Sequence, residues 1–358
     1  MRVGLLSYPM LFQREGGLQV QLRATLDALV QAGVQAELVD PHCHRLDEYD
    51  VIHVFSAING NYRIVETAAE MGVPVVLSAL LPPAWDRSSG ACARFADRLA
   101  GRLTAWNVQT SYAQTKRALQ LAQLVIALGA AERTAIVAAF RTDPHKIRVL
   151  PNGVDRRFFD ADPGLFRRHT GIGGPFVLMA GAISPYKNQL PLAQTLGSAS
   201  VNVVLAGCAQ PQHRDYLRQL LDCPNVQWLG ALAHDNPLLA SAYAAAAALA
   251  LPSQGEVFPL VVLEALAAGT PAVMTRDSAL QLPDSGFALR QLRADDMPAW
   301  RAALDGFINR PPERAAVSAL VEQFTWRRVA QQLADCYAGL LAEVSESSAT
   351  LPAERRAV

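Results

Sequence analysis

With 358 residues, 51% of them hydrophobic and only 18% charged, the chain is too long for one ordinary core and too apolar for a disordered segment, so two globular domains are expected. Its 32 basic and 32 acidic residues cancel, which removes the electrostatic footprint expected of a nucleic-acid-binding protein. No apolar run reaches the roughly 18 uncharged residues of a membrane span. The opening MRVGLLSYPM has too short an apolar core for a signal peptide, so a cytoplasmic location is expected. The five cysteines, at 43, 92, 208, 223 and 336, have neither CxxC spacing nor a histidine partner and read as reduced structural thiols.

In chain order, residues 2–7 (RVGLLS) predict a first buried strand. Gly16 and Gly17 then open a helix on which Leu18, Leu22, Leu26 and Leu29 recur at helical spacing, with Gly33 as its stop. Strand, glycine pair and helix is the layout of a turn that approaches a phosphate, although a glycine pair alone is equally a plain turn. Strands follow at 35–39, 50–55, 73–77, 123–128 and 147–150, with helices at 62–71 and 130–140. These near-continuous apolar runs with helices between them predict a doubly wound parallel sheet. Between residues 87 and 117, six basic side chains stand against the single Asp97, giving either a solvated helix face or a contact with an anionic acceptor or a lipid headgroup surface.

Residues 156–174, rich in glycine, proline and charge, read as a linker. A second strand–helix series starts at 175–180 (PFVLMA) and continues with strands at 201–206, 226–229, 247–251 and 287–289. Helices are expected at 215–221, 238–245, 297–307 and 312–323. A final helix over 326–341 places Val329, Leu333, Cys336, Tyr337 and Leu340 on one face, and the polar residues from 343 onward read as a disordered tail. The fold class is therefore α/β, with two Rossmann-like domains and a cleft between them; ligands of such folds lie at the carboxyl ends of the strands.

The segment 252–273, PSQGEVFPLVVLEALAAGTPAV, follows one of those ends. Pro259 suits a helix start and Gly269 its stop. Glu256 and Glu264 are eight residues apart, a helical rise of about 12 Å, which matches the span from a sugar through a diphosphate to a ribose. Spacing alone favours two surface glutamates. Glu264 lies between Leu263 and Ala265 in an apolar run, however, and a carboxylate there must be paired or bound to something.

Four stretches, VLPNGVDRRFF (149–159), AGAISPYKN (180–188), NVQWLG (225–230) and the segment just described, resemble the retaining family 4 glycosyltransferases of the GT-B fold. The closing FTWRRVAQQLADCYAGLL (324–341) is similar to that family's terminal helix, which crosses back to the N-terminal domain. The resemblance implies an acceptor domain over 1–155, a nucleotide-sugar domain over 175–323 and a crossing helix over 324–342. It implies that Glu256 holds donor-sugar hydroxyls, that Glu264 binds the ribose, and that Lys187 meets the diphosphate. The backbone of Phe258, Pro259, Leu260 and Val261 would cradle the phosphates. Gly181 belongs to the same site, and residues 225–232, with Gly230 and Leu232, lie where the base sits. Gly16 and Gly17 match the loop that approaches the reaction centre.

A lysine and a helix dipole can hold a diphosphate without a metal, and no Asp-x-Asp motif stands in the sequence, so no cofactor is expected. The expected partners are a nucleotide sugar and a glycan or lipid-linked acceptor. Three departures from the family pattern stand out: Ala182 where an arginine is usual, Ser78 to Leu80 in place of a histidine, and TRDSALQLP (275–283) in place of a glycine-rich loop. They leave a nucleotide-sugar-binding scaffold as the alternative function. His53, inside a strand, reads as a core histidine, and His234 lies near the expected base site.

Overall fold

The computed structural model describes residues 1–13, 16–104, 108–197 and 201–349. They form two compact units: one of residues 1–13, 21–151 and 326 onward, the other of residues 152–325 with the described residues 16–20.

In the first unit β1 (Arg2–Leu6), β2 (Gln35–Leu38), β3 (Val51–Phe55), β4 (Val75–Ser78), β5 (Leu124–Ala127) and β6 (Ile147–Val149) make one parallel sheet in the order β2-β1-β3-β4-β5-β6. The order follows the side chains. β3, β4 and β5 are buried at every position and lie inside the sheet, whereas β2 and β6 carry exposed residues and lie at its edges.

The second unit holds β7 (Phe176–Ala180), β8 (Asn202–Ala206), β9 (Val226–Trp228), β10 (Ala248–Leu251), β11 (Ala272–Thr275) and β12 (Leu289–Leu292), again parallel, in the order β12-β11-β10-β7-β8-β9. The helix Met297–Asn309 buries Trp300, Leu304 and Phe307 in the core built around β7, β8 and β10. In each sheet the strand order reverses once, between β1 and β3 and between β7 and β10. At such a reversal the loops leaving the carboxyl ends diverge and open a crevice.

The long helix Trp326–Ala349 belongs to the first unit. Val329, Leu333, Tyr337 and Leu340 are buried, and Cys336 is half-buried. The Tyr337 hydroxyl lies 2.7 Å from Nδ1 of His53 on β3, and Ser78 Oγ lies 2.9 Å from Nε2. Burial lowers the His53 pKa to about 3, so this ring is the neutral core histidine that its place in a strand suggested.

Some local expectations need correction. The stretch read as a linker carries two helices, Arg156–Phe159 and Pro163–Thr170. Asp155 and Asp162 cap them by accepting from the N–H groups of Arg157 and Gly164, and Phe158 and Phe166 are fully buried. The tail read as disordered is helical through Ala349, its residues 343–349 holding neither glycine nor proline; residues 350–358 lie outside the described ones. The last strand runs over Leu289–Leu292 rather than 287–289, and the helix expected at 312–323 shortens to Arg314–Ala319.

The basic stretch forms two helices, Arg87–Leu103 and Ser111–Leu121. Part of it is structural. A Cβ on Gly90 would stand 2.6 Å from Ala139 Cα, Arg94 donates to the Ala139 carbonyl at 2.7 Å, and Arg117 pairs with Glu66 at 3.2 Å. Arg98 and Arg102 stay exposed beside Phe95, Leu99 and Leu103, of which Phe95 is 70% and Leu103 78% exposed.

Candidate functional site

The candidate site is built where the second sheet reverses. β7 ends at Ala180, and Gly181 follows with φ +130°, a conformation that favours glycine. Just past β8, a Cβ on Gly207 would stand 1.9 Å from the Gly181 carbonyl oxygen, so no other residue fits there. Gly207 N–H donates to the carbonyl of Gly230, past β9, at 2.8 Å. Three strand-end glycines therefore stack edge to edge as a floor of bare backbone. A short turn, Pro185–Lys187, follows, held by Asn188 Nδ2 donating to the Ala294 carbonyl and Gln189 Nε2 donating to the Ala182 carbonyl.

This turn is stitched to the loop after β10. Lys187 Nζ lies 2.5 Å from Glu256 Oε1, the Tyr186 hydroxyl donates to the Gly255 carbonyl at 2.7 Å, and Gln254 N–H donates to the Tyr186 carbonyl at 3.0 Å. Glu256 N–H donates to the Asp277 carbonyl at 2.9 Å, so the loop after β11 braces the other side. The fold thus brings Lys187 and Glu256, 69 residues apart in sequence, into one partly buried ion pair, with side chains 24% and 16% exposed. A pair screened from solvent on both sides interacts more strongly than one at the surface.

The helix Leu260–Ala267 starts one residue after Pro259, which occupies the N-cap position in extended conformation and supplies no side-chain acceptor. The N–H groups of its first turn, at Leu260 and Val261, thus have no side-chain cap, which leaves the partial positive charge of the helix start for an anion. Phe258 and Pro259 are buried, and the Phe258 carbonyl accepts from Asn152 Nδ2 at 3.3 Å.

Glu264, one turn in, is buried at 4% exposure, and each of its carboxylate oxygens has a partner. Its Oε2 accepts from the Tyr243 hydroxyl at 2.7 Å and its Oε1 lies 2.8 Å from His234 Nε2. Burial, and then the Glu264 charge, raise the Tyr243 pKa well above the usual value, so that hydroxyl remains a donor. Arg157 stands behind His234, with one guanidinium nitrogen 2.7 Å from Nδ1 and 2.8 Å from the His234 carbonyl oxygen.

The remaining expected residues are spread more widely. Leu232 is half-buried in the loop after Gly230. Asn225 lies at the opposite end of β9 from Gly230 and Leu232, donating to the carbonyls of Ala193 and Val201. Gly17 begins the helix Gly17–Gln31; a Cβ there would meet nothing within 4 Å, and one on Gly16 would meet only the flexible Gln19 side chain at 3.2 Å. Sequence reasoning missed Tyr186, Tyr243 and Arg157, each of which reaches its partner across many residues of chain. Only Tyr186 carried a signal, as the neighbour of Lys187. Among the described residues no group of three or more His, Cys, Asp or Glu side chains gathers as a metal would require, and no helix is long and apolar enough to cross a membrane.

Residues 39–158 match the profile of Glycosyltransferase Family 4, and residues 174–308 match that of Glycosyl transferases group 1, so the two together span most of the chain. The chain belongs to the family 4 glycosyltransferases. A D-inositol 3-phosphate glycosyltransferase from Stackebrandtia nassauensis is 28% identical over 63% of this chain, a match that spans only 56% of that relative's length. The enzyme of the same name from Kineococcus radiotolerans is 27% identical over 82% of this chain and 72% of its own. Among solved structures, Anabaena HepE in complex with UDP superposes with a TM-score of 0.72 at 19% identity, covering 95% of this chain and all of that one. At that identity the likeness establishes the GT-B fold. The family 4 resemblance read from VLPNGVDRRFF and PSQGEVFPLVVLEALAAGTPAV is thus borne out.

Proposed function

We propose that this chain moves a hexosyl group from a nucleoside-diphosphate sugar to a glycan or glycolipid acceptor, with retention of configuration, in cell-surface polysaccharide assembly. The observation that carries the reading is the meeting of Lys187 and Glu256 at the sheet reversal, beside an uncapped helix start whose second turn holds the braced Glu264. The UDP in HepE supports a nucleotide as the occupant. Lys187 and the helix start would hold the diphosphate, Glu256 the sugar hydroxyls and Glu264 the ribose. In the transfer, the bond from the sugar's anomeric carbon to the phosphate oxygen breaks. The diphosphate leaves with the electron pair, its charge offset by Lys187 and the helix N–H groups. The acceptor oxygen bonds to the anomeric carbon on the same face, and its proton passes to the departing phosphate oxygen. No metal is needed for these steps. The exposed Phe95, Leu99 and Leu103 beside Arg98 and Arg102 support a peripheral contact with an anionic membrane surface on the cytoplasmic side.

The test is a transfer assay over a panel of nucleotide sugars. Lys187→Ala and Glu256→Ala are each expected to lower turnover at least about tenfold, the loss of some 1.4 kcal/mol of transition-state stabilisation. Full activity in both variants would remove the assigned site. Binding of nucleoside diphosphates without hydrolysis or transfer would favour the scaffold reading, which Ala182, the absent histidine and the altered loop after β11 motivate.

A further inference from the structure

The surroundings of Glu264 say more than its place in the site requires. A carboxylate offers about four lone-pair positions, two on each oxygen. Tyr243 takes one on Oε2 and His234 one on Oε1. One position per oxygen remains, enough for the two hydroxyls of a vicinal diol. His234 itself is fixed. Arg157 can only donate, so its nitrogen 2.7 Å from Nδ1 makes Nδ1 the acceptor, and the ring proton sits on Nε2, facing Glu264. Apart from its guanidinium lying 5.0 Å over the Phe158 ring, Arg157 has few other contacts: its Nε is buried without a partner and its other terminal nitrogen reaches Asp155 only at 3.9 Å. A buried donor left unpaired is costly, and the two bonds to His234, with the Phe158 ring, offset that cost.

We propose that Arg157, His234 and Tyr243 are positioning residues that lock the Glu264 carboxylate plane and His234 tautomer, so that the two free lone pairs read the 2′- and 3′-hydroxyls of the donor's ribose. This rests on the reading of Glu264 as the ribose residue. Tyr243 fixes the carboxylate from the core side. The Arg157–His234 pair fixes it from the solvent side, where both side chains remain 29% exposed. The site is thereby selective for ribo- over deoxyribonucleotides, because a polar group built to bind a hydroxyl is left unpaired when the hydroxyl is missing.

The experiment is calorimetric titration of the full chain with UDP, GDP and ADP, then with the 2′-deoxy form of the tightest binder. The wild type is expected to bind the ribo form at least about tenfold more tightly than the deoxy form. In His234→Ala the ribo affinity is expected to fall about tenfold and the deoxy affinity, which keeps only the 3′-hydroxyl contact, to fall less, so the ratio collapses toward one. His234→Gln, which can accept from Arg157 and donate to Glu264, restores most of the ratio, and Arg157→Met lowers it part-way. A ratio unchanged in both His234→Ala and Arg157→Met overturns the brace while leaving the donor-site reading intact. A wild type that binds no diphosphate, or binds both sugar forms equally, overturns the reading of Glu264 and the brace with it. Circular dichroism on each variant separates these results from loss of fold, and the Gln and Met variants keep the test decisive if His234→Ala does not fold.

Discussion

Single residues behave here as their surroundings dictate, and Glu132 is the clearest case. It is fully buried in the first unit, accepting from the N–H groups of Leu81 at 2.7 Å and Leu128 at 2.6 Å. Burial outweighs those bonds and raises its pKa from 4.5 to about 7. The folded value lies above the unfolded one, so the contribution to stability is complete below about 4.5 and is lost as pH rises through about 7. At 1.36 kcal/mol per unit the swing is on the order of 3 kcal/mol. Denaturant unfolding of the wild type and Glu132→Gln at about pH 5 and about pH 8 should show the wild type losing more stability over the interval than the variant. Parallel losses would place the titration elsewhere. Residue-scale chemistry was legible in the sequence only where it was local. That Glu264 needed partners followed from its apolar neighbours, but which partners did not, because Tyr243 and His234 stand 21 and 30 residues away.

At the scale of elements, interior strands were legible and edge strands less so. β3, β4 and β5 are runs of buried residues, and they declare themselves. β12, LRQL, is exposed at its two central positions and lies at a sheet edge, where polar residues are tolerated and the apolar signal fades. The two helices of the supposed linker were hidden by composition, although Asp162 followed by Pro163 is a helix start in miniature. The C-terminal helix invites a test of its anchor. Tyr337→Phe removes the hydroxyl from His53 Nδ1 and leaves a buried ring nitrogen unpaired, an expected loss of about 1–3 kcal/mol by chemical denaturation. An unchanged midpoint would mean that apolar packing alone seats the helix. The helix Arg87–Leu103 makes a second prediction. Replacing Phe95, Leu99 and Leu103 by serine should abolish co-sedimentation with vesicles of phosphatidylglycerol and phosphatidylcholine, and added salt should weaken the wild type's binding. Equal sedimentation of wild type and triple variant would sink the membrane contact.

For the whole molecule, the two sheets share an architecture but not a chemistry at their reversal points. In the second unit the loops leaving β7 and β10 carry Lys187 and Glu256 and are bonded to each other. At the first unit's reversal, Ser7, after β1, and Asn61, beyond β3, are buried and spend their donors on the β3 end, Ser7 on the Phe55 carbonyl and Asn61 on those of Phe55 and Ser56. The nucleotide should therefore act on one unit. A nucleoside diphosphate at about a hundred times its Kd is expected to stabilise the fold by about 2.7 kcal/mol, visible as a rise in melting temperature. Hydrogen exchange locates the effect. Slowed exchange is expected over 181–188, 230–236 and 252–264, the segments of the glycine floor, the Lys187 turn, the His234 loop and the uncapped helix. The loop at 79–86 in the first unit should exchange at the same rate with or without the ligand. Protection concentrated on the first unit, with the second unit's loops unaltered, would move the nucleotide site and leave the Lys187–Glu256 pair as a structural bond between two loops.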